Sequence, residues 1–314
     1  MAEARVEAER TFREDAREPI FRSHHMRAMK LAVGAALLLA GALQLSARDD
    51  EAVDLRGPAP KKGDVTVSKS TFKIKDAEVK LTVAGMKLDA KQTLTATEEE
   101  ETKVLAVDGR QATKVQCKIL KEKVESSTSL GGQSMDDTKD GDLHGEVIIS
   151  ERSKDGKWKH QLVDNKPNDK QKKDLDKRMG PENDDDLYPA EKVKVGHTWT
   201  VDASALQRVF GGSVQELKGK IKMKFLAIED VDGEKCAVIE AVGVITGIAK
   251  EDEGDLNVEM DMKGKTWRSL KSGLDVKDEA SGKMKMSGKI EMDGVKVDLA
   301  LEGPFTIKST AKFK

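Results

Sequence analysis

From Val65 onward, apolar and polar residues alternate with a period of two, the pattern of a strand with one dry and one wet face. Val79, Leu81 and Val83 alternate with Lys80, Thr82 and Ala84, and Val115, Cys117 and Ile119 with Lys114, Gln116 and Lys118. The second half is clearer. Ile221, Met223 and Phe225 stand opposite in parity to Lys220, Lys222 and Lys224, and Val258, Met260 and Met262 to Glu259, Asp261 and Lys263. Met284, Met286, Ile290 and Met292 share one parity, and Val295, Val297, Leu299 and Leu301 close the series. One-sided strands of this kind belong to antiparallel sheets. Asp108-Gly109, Asp155-Gly156, Asp232-Gly233 and Asp293-Gly294 supply hairpin turns, in which glycine accepts a positive φ.

Two stretches break the alternation and read as short helices. Asn168–Met179 ends at Gly180-Pro181, and Asp202–Phe210 begins on a capping residue and ends at Gly211-Gly212. The expected fold is therefore mainly β: an antiparallel curved sheet or half-barrel meander in two halves, with two short helices. The N-terminal β half covers 64–163, a polar helical linker 164–191, and the C-terminal β half 192–314. Glu98-Glu99-Glu100-Glu101 reads as a solvated turn between strands. Asp136–Asp142 reads as an acidic loop whose spacing fails a calcium-binding loop, with Thr138 at its third position and Val147 at its twelfth.

Ahead of the strands, Arg27 and Lys30 precede an apolar run from Leu31 to Leu45, followed by Arg48, Asp49, Asp50 and Glu51. This run is shorter than the roughly 20 residues of a membrane span. With the small residues at its end, it describes a signal peptide over 26–47, cleaved before Arg48. Residues 1–25 are too acidic for a transit peptide and read as an N-terminal extension, a gene-model artefact if translation starts at Met26 or Met29. Residues 48–63, with Gly57-Pro58-Ala59-Pro60, read as a flexible linker. The expected location is exported, periplasmic or extracellular, with membrane attachment only if the leader stays uncleaved.

Composition narrows the function. The 314 residues hold 55 Lys and Arg against 57 Asp and Glu, a net charge of −2, which argues against a nucleic-acid partner. No nucleophile–base, phosphate-loop or zinc-protease motif occurs, and the 5 His are scattered. No catalytic residue, cofactor or metal site is expected. In an oxidising compartment, Cys117 and Cys236 read either as a disulfide tying the halves or as two separate buried thiols. The M-x-M pairs Met260/Met262 and Met284/Met286, with Met223 and Phe225, fill the apolar strand faces. Such faces are either core filling or an adaptable groove for a lipid-like ligand or a partner segment.

Tyr188-Pro189, Val193-Lys194-Val195-Gly196-His197-Thr198-Trp199 and Asp232–Ala237 resemble uncharacterised secreted bacterial β-sheet proteins, in which a V-x-V-G-x-x-W segment introduces the C-terminal sheet. The likeness covers 187–314 and extends loosely to half-barrels of lipoprotein-carrier type. It implies an apolar ligand face and transfers no functional residue. The expected function is an exported, non-enzymatic β-sheet protein binding a hydrophobic small molecule or an envelope protein on that face. The alternative is a purely structural or interaction protein of the envelope.

Overall fold

The computed structural model describes residues 51–181, 185–206, 214–251, 254–292 and 294–314. The expected extension and signal peptide lie outside the described residues. Among the described residues, twelve strands form one antiparallel sheet. They are β1 (Val65–Val83), β2 (Met86–Asp108), β3 (Gln111–Leu130), β4 (Gln133–Asp140), β5 (Val147–Arg152), β6 (Trp158–Leu162), β7 (Thr198–Asp202), β8 (Val214–Val231), β9 (Glu234–Glu251), β10 (Gly254–Ser269), β11 (Asp275–Met292) and β12 (Val295–Phe313). Their order is β6-β5-β3-β2-β1-β12-β11-β10-β9-β8-β7, with β4 on β3 beside β5. The sheet is curved and does not close, since its path ends at β6 and β7.

The two halves meet strand to strand. β1 pairs with β12 from Thr66↔Phe313 to Val83↔Val297, so the sheet is continuous across the middle of the sequence. The chain works outward from this seam to β6, crosses to the opposite edge at β7, and returns by hairpins to the seam. The mainly-β expectation holds, but two short helices do not. Among the described residues there is one α-helix, α1 (Asp169–Lys177), capped by Asn168 in a reciprocal pair with Gln171. The second expected helix is replaced, where it is described, by a 3₁₀ turn over Ala203–Leu206. That turn sets Ala203 and Leu206 three residues apart on one side, and both are buried. Asp202 belongs to β7, and Gln207–Phe210 lie outside the described residues.

Two acidic runs are also strand, not loop. Glu98–Glu101 sit in the middle of β2, with Glu99 opposite Lys69 and Lys121. Glu100 pairs with the buried Arg178, and Glu101 with Lys314. Most of Asp136–Asp142 lies in β4, paired with Lys123–Leu130 of β3. Opposite charges thus meet Glu99, Glu100 and Glu101, which favours extended pairing of that run, while Asp136 and Asp137 face Ser127 and Ser126.

Bulges decide which parity faces inward. In β1, Phe72 and Ile74 are buried, but beyond the irregularity at Asp76 (φ 49°) the buried residues are Ala77, Val79 and Leu81. In β3, Leu120 is the extra residue opposite Glu99 and Glu100. Val115, Cys117 and Ile119 on one side of it, and Val124 and Thr128 on the other, therefore belong to different parities. The outer face carries Lys–carboxylate pairs such as Lys283–Glu302, Lys285–Glu259 and Lys263–Glu240.

Candidate functional site

The inward parity of β8–β12, β1 and β2 forms one apolar cluster. It includes all six residues singled out from the sequence: Met223 (9% exposed), Phe225 (0%), Met260 (1%), Met262 (2%), Met284 (0%) and Met286 (7%). Register explains their arrangement. Met260 lies between Ile245 of β9 and Met284 of β11, and Met284 lies beside Gly303 of β12. Met262 lies between Gly243 and Gly282. At Gly282 a Cβ would collide with the Asp261 carbonyl, so this position accepts no side chain and leaves room for Met262 and for Phe305 across the other strand pair. Large thioethers thus alternate with missing side chains, and the face is filled. Gln92 of β2 departs from its apolar character: it is 1% exposed, and neither atom of its amide has a hydrogen-bond partner among the described residues.

The cysteines are free and lie in different clusters, which corrects the disulfide reading. Cys117 packs with Val115, Ile119, Ile148 and Leu175, and burial pushes its thiol up to about 12. Cys236 packs with Val238 and Trp267, and burial pushes it up to about 11. Both are small apolar core residues with inert thiols. Ser150 Oγ lies 2.8 Å from His160 Nδ1, a nucleophile-to-base distance, yet Ser150 is 1% exposed and offers no approach to a substrate carbonyl. Among the described residues, no group of three or more His, Cys, Asp and Glu is placed to hold a metal.

The polar site that the sequence did not reveal lies at one end of the sheet. Here the β2–β3, β8–β9 and β10–β11 turns come together around a cleft of about 1200 Å³. The segment expected as a free linker is tied down across it. Val53 exchanges both backbone hydrogen bonds with Val193 at 2.9 Å, and Leu55 is 1% exposed. Arg268, itself buried, donates to the Leu55 carbonyl, to the Arg56 carbonyl at 3.3 Å and to Asp275 at 2.7 Å. Its guanidinium stacks 3.9 Å from the centre of the Tyr188 ring, and the Tyr188 hydroxyl donates to Asp275. Arg56 Nε donates back to the Tyr188 carbonyl at 3.2 Å. Arg110 grips Asp185 through two nitrogens at 2.8 and 2.9 Å and donates to the Gly57 carbonyl at 3.1 Å. The hydrogen bond from Arg110 is the main cause holding the Asp185 carboxyl below its ordinary range. Gly57 and Gly273, both at φ +69°, let the strap cross the β10–β11 turn in contact: a Cβ on Gly273 would lie 2.9 Å from Gly57 Cα. The signal available in the sequence was small, the apolar pair Val53 and Leu55 amid polar residues. Arg110 and Arg268 carry no local pattern.

No family model matches the chain, and no curated protein matches it. Thirteen solved chains match in a comparison of structures. Among them are the outer membrane protein OprG from Pseudomonas aeruginosa (8% identity, 83% of this chain and 98% of that one, TM-score 0.28) and the COG4313 outer membrane channel from Pseudomonas putida F1 (9%, 82% and 98%, TM-score 0.25). A DUF1329 family protein from Desulfovibrio piger aligns at 11% identity over 80% of this chain and 85% of that one, TM-score 0.17. At these scores the matches add nothing to what the chain's own sheet shows. No helix among the described residues is long and apolar enough to cross a membrane.

Proposed function

We propose that this chain is an exported, non-enzymatic β-sheet protein of the cell envelope that acts as a structural or interaction module. Its methionine-rich face serves as its own core, and its polar outer surface meets its partner. The observation that carries this reading is the burial of Met223, Phe225, Met260, Met262, Met284 and Met286, none more than 9% exposed. An apolar face open to ligand leaves large side chains in contact with solvent, as the adaptable Met-rich surfaces of promiscuous binders do. Export rests on the basic residues and apolar run of 26–47.

A second reading, a lipid-like ligand held against the inner face, is favoured by Gln92. Its unpartnered amide is a polar handle inside a mostly apolar surface. Native mass spectrometry and lipid extraction of protein isolated from its own envelope distinguish the two. The module reading expects a bare polypeptide mass and no enhancement of an apolar fluorescent probe. A stoichiometric lipid, lost on replacing Gln92 with Leu, would overturn it in favour of the ligand reading.

A further inference from the structure

The outward lysines of β8 contrast with those of β11. On β11 three outward lysines each meet a carboxylate from a neighbouring strand, Lys283 with Glu302, Lys285 with Glu259 and Lys289 with Asp298, and Lys277 meets Glu279 of its own strand. On β8, Lys218, Lys220, Lys222 and Lys224 form an equally regular outward row, all exposed; Lys218 reaches Glu216 of its own strand at 3.7 Å, whereas the other three make no ion pair among the described residues. Their cross-strand neighbours on β9 are Thr246, Val244, Val242 and Glu240. Of these, Glu240 is engaged by Lys263 at 3.0 Å. On the β7 side, Lys222 and Lys224 face Thr200 and Thr198, and Lys220 faces Asp202 without an ion pair within reach. Val242 and Val244, beside the row, are 40% and 48% exposed.

Lysines on a sheet edge often serve to deter strand addition. That does not account for Lys220, Lys222 and Lys224, because β7 already pairs with β8 over Lys220–Lys224. The valines lie on the solvent face and contribute nothing to the core. What remains, over Lys220–Lys224, is about 14 Å (roughly 3.4 Å per residue) of positive charge with no ion pair among the described residues, flanked by two apolar side chains.

We infer that the outer face of β7–β9 is a docking surface for an anionic lipid bilayer, the lysines meeting phosphate headgroups and Val242 and Val244 entering the interfacial layer. An acidic protein would match the lysines but not the valines, whereas a headgroup layer over acyl chains matches both. The net charge of −2 conceals the surface, because the carboxylates that balance the lysines lie elsewhere on the chain.

The test is partition of the full chain onto vesicles of phosphatidylglycerol against vesicles of phosphatidylcholine, so that any apolar leader contributes equally to both. The inference expects a salt-sensitive excess on phosphatidylglycerol. Lys220→Gln, Lys222→Gln and Lys224→Gln together should cut that excess about 100-fold, near fivefold per lysine. Val242→Ser with Val244→Ser should cut it about tenfold. Lys283→Gln, Lys285→Gln and Lys289→Gln, the same change in net charge on paired lysines, should leave it nearly intact, and circular dichroism should show all variants folded. Equal loss in that control, absence of any excess, or equally tight binding of soluble polyglutamate that ignores the valine substitutions would overturn the inference. None of these outcomes bears on whether the inner face is closed, so each reading stands or falls separately.

Discussion

Gln92 and the two cysteines show how single residues carry different costs in this core. The Gln92 amide is enclosed without a partner, so it has lost its water without gaining a protein hydrogen bond. Replacing both polar atoms by an apolar side chain of similar size removes that penalty. Gln92→Leu is therefore expected to raise stability by about 1–3 kcal/mol in urea unfolding with an unchanged m-value. A loss of similar size would mean that the amide is bonded in solution, to water or to a ligand. Cys117 and Cys236 are free and buried apart. Reductant is expected to leave the melting temperature unchanged, and a thiol reagent to label neither residue until the sheet unfolds. A marked drop in melting temperature on reduction would restore the disulfide.

At the scale of elements, period two was enough to locate the strands of the second half, because β8 and β10–β12 keep one parity through the residues that matter. The irregularities at Asp76 and Leu120 were not legible, since a bulge leaves composition unchanged and shows only as an alternation that switches phase. Glu98–Glu101 misled for a related reason: the charges suggested solvent, and the partners that neutralise them, Arg178 and Lys314, are far away in sequence. The strap over Val53–Gly57 depends in the same way on distant residues, Arg268, Arg110 and Tyr188.

The strap yields two predictions. Gly57→Ala places a side chain in a left-handed conformation and against the Gly273 backbone, so hydrogen exchange at Val53, whose amide bonds the Val193 carbonyl, should speed markedly while the central strands stay protected. Unchanged exchange would mean that the strap does not rest on the β10–β11 turn. The second concerns acid. Asp185 has a folded pKa below its unfolded value, so its contribution is present above about pH 4 and is lost as pH falls through the lower folded value. Arg56 and Arg268 also favour its charged form. Exchange at the strap should rise below about pH 4. With Arg110→Gln it should already be fast at neutral pH. The side chains of Arg110 and Asp185 are 42% and 19% exposed, so the effect belongs to the strap and not to global stability.

At the scale of the whole molecule, the two halves legible in the sequence are the two wings of one sheet, joined where β1 meets β12. Sequence alone could not supply this seam, because its strands stand at opposite ends of the described chain and share no local signal. The same sheet turns the methionine faces inward and the lysine rows outward, and the central claim is that the inner face is filled and closed. Methionine oxidation by dilute peroxide, read residue by residue in a mass spectrometer, tests it most directly. Met86 and Met135, both partly exposed, serve as internal references. A closed core predicts that Met260, Met262 and Met284 stay unoxidised while Met86 and Met135 convert, and that all five convert together once the protein is unfolded. Oxidation of Met260 and Met284 in the native protein at the rate of Met86 would show an open apolar face and contradict the account.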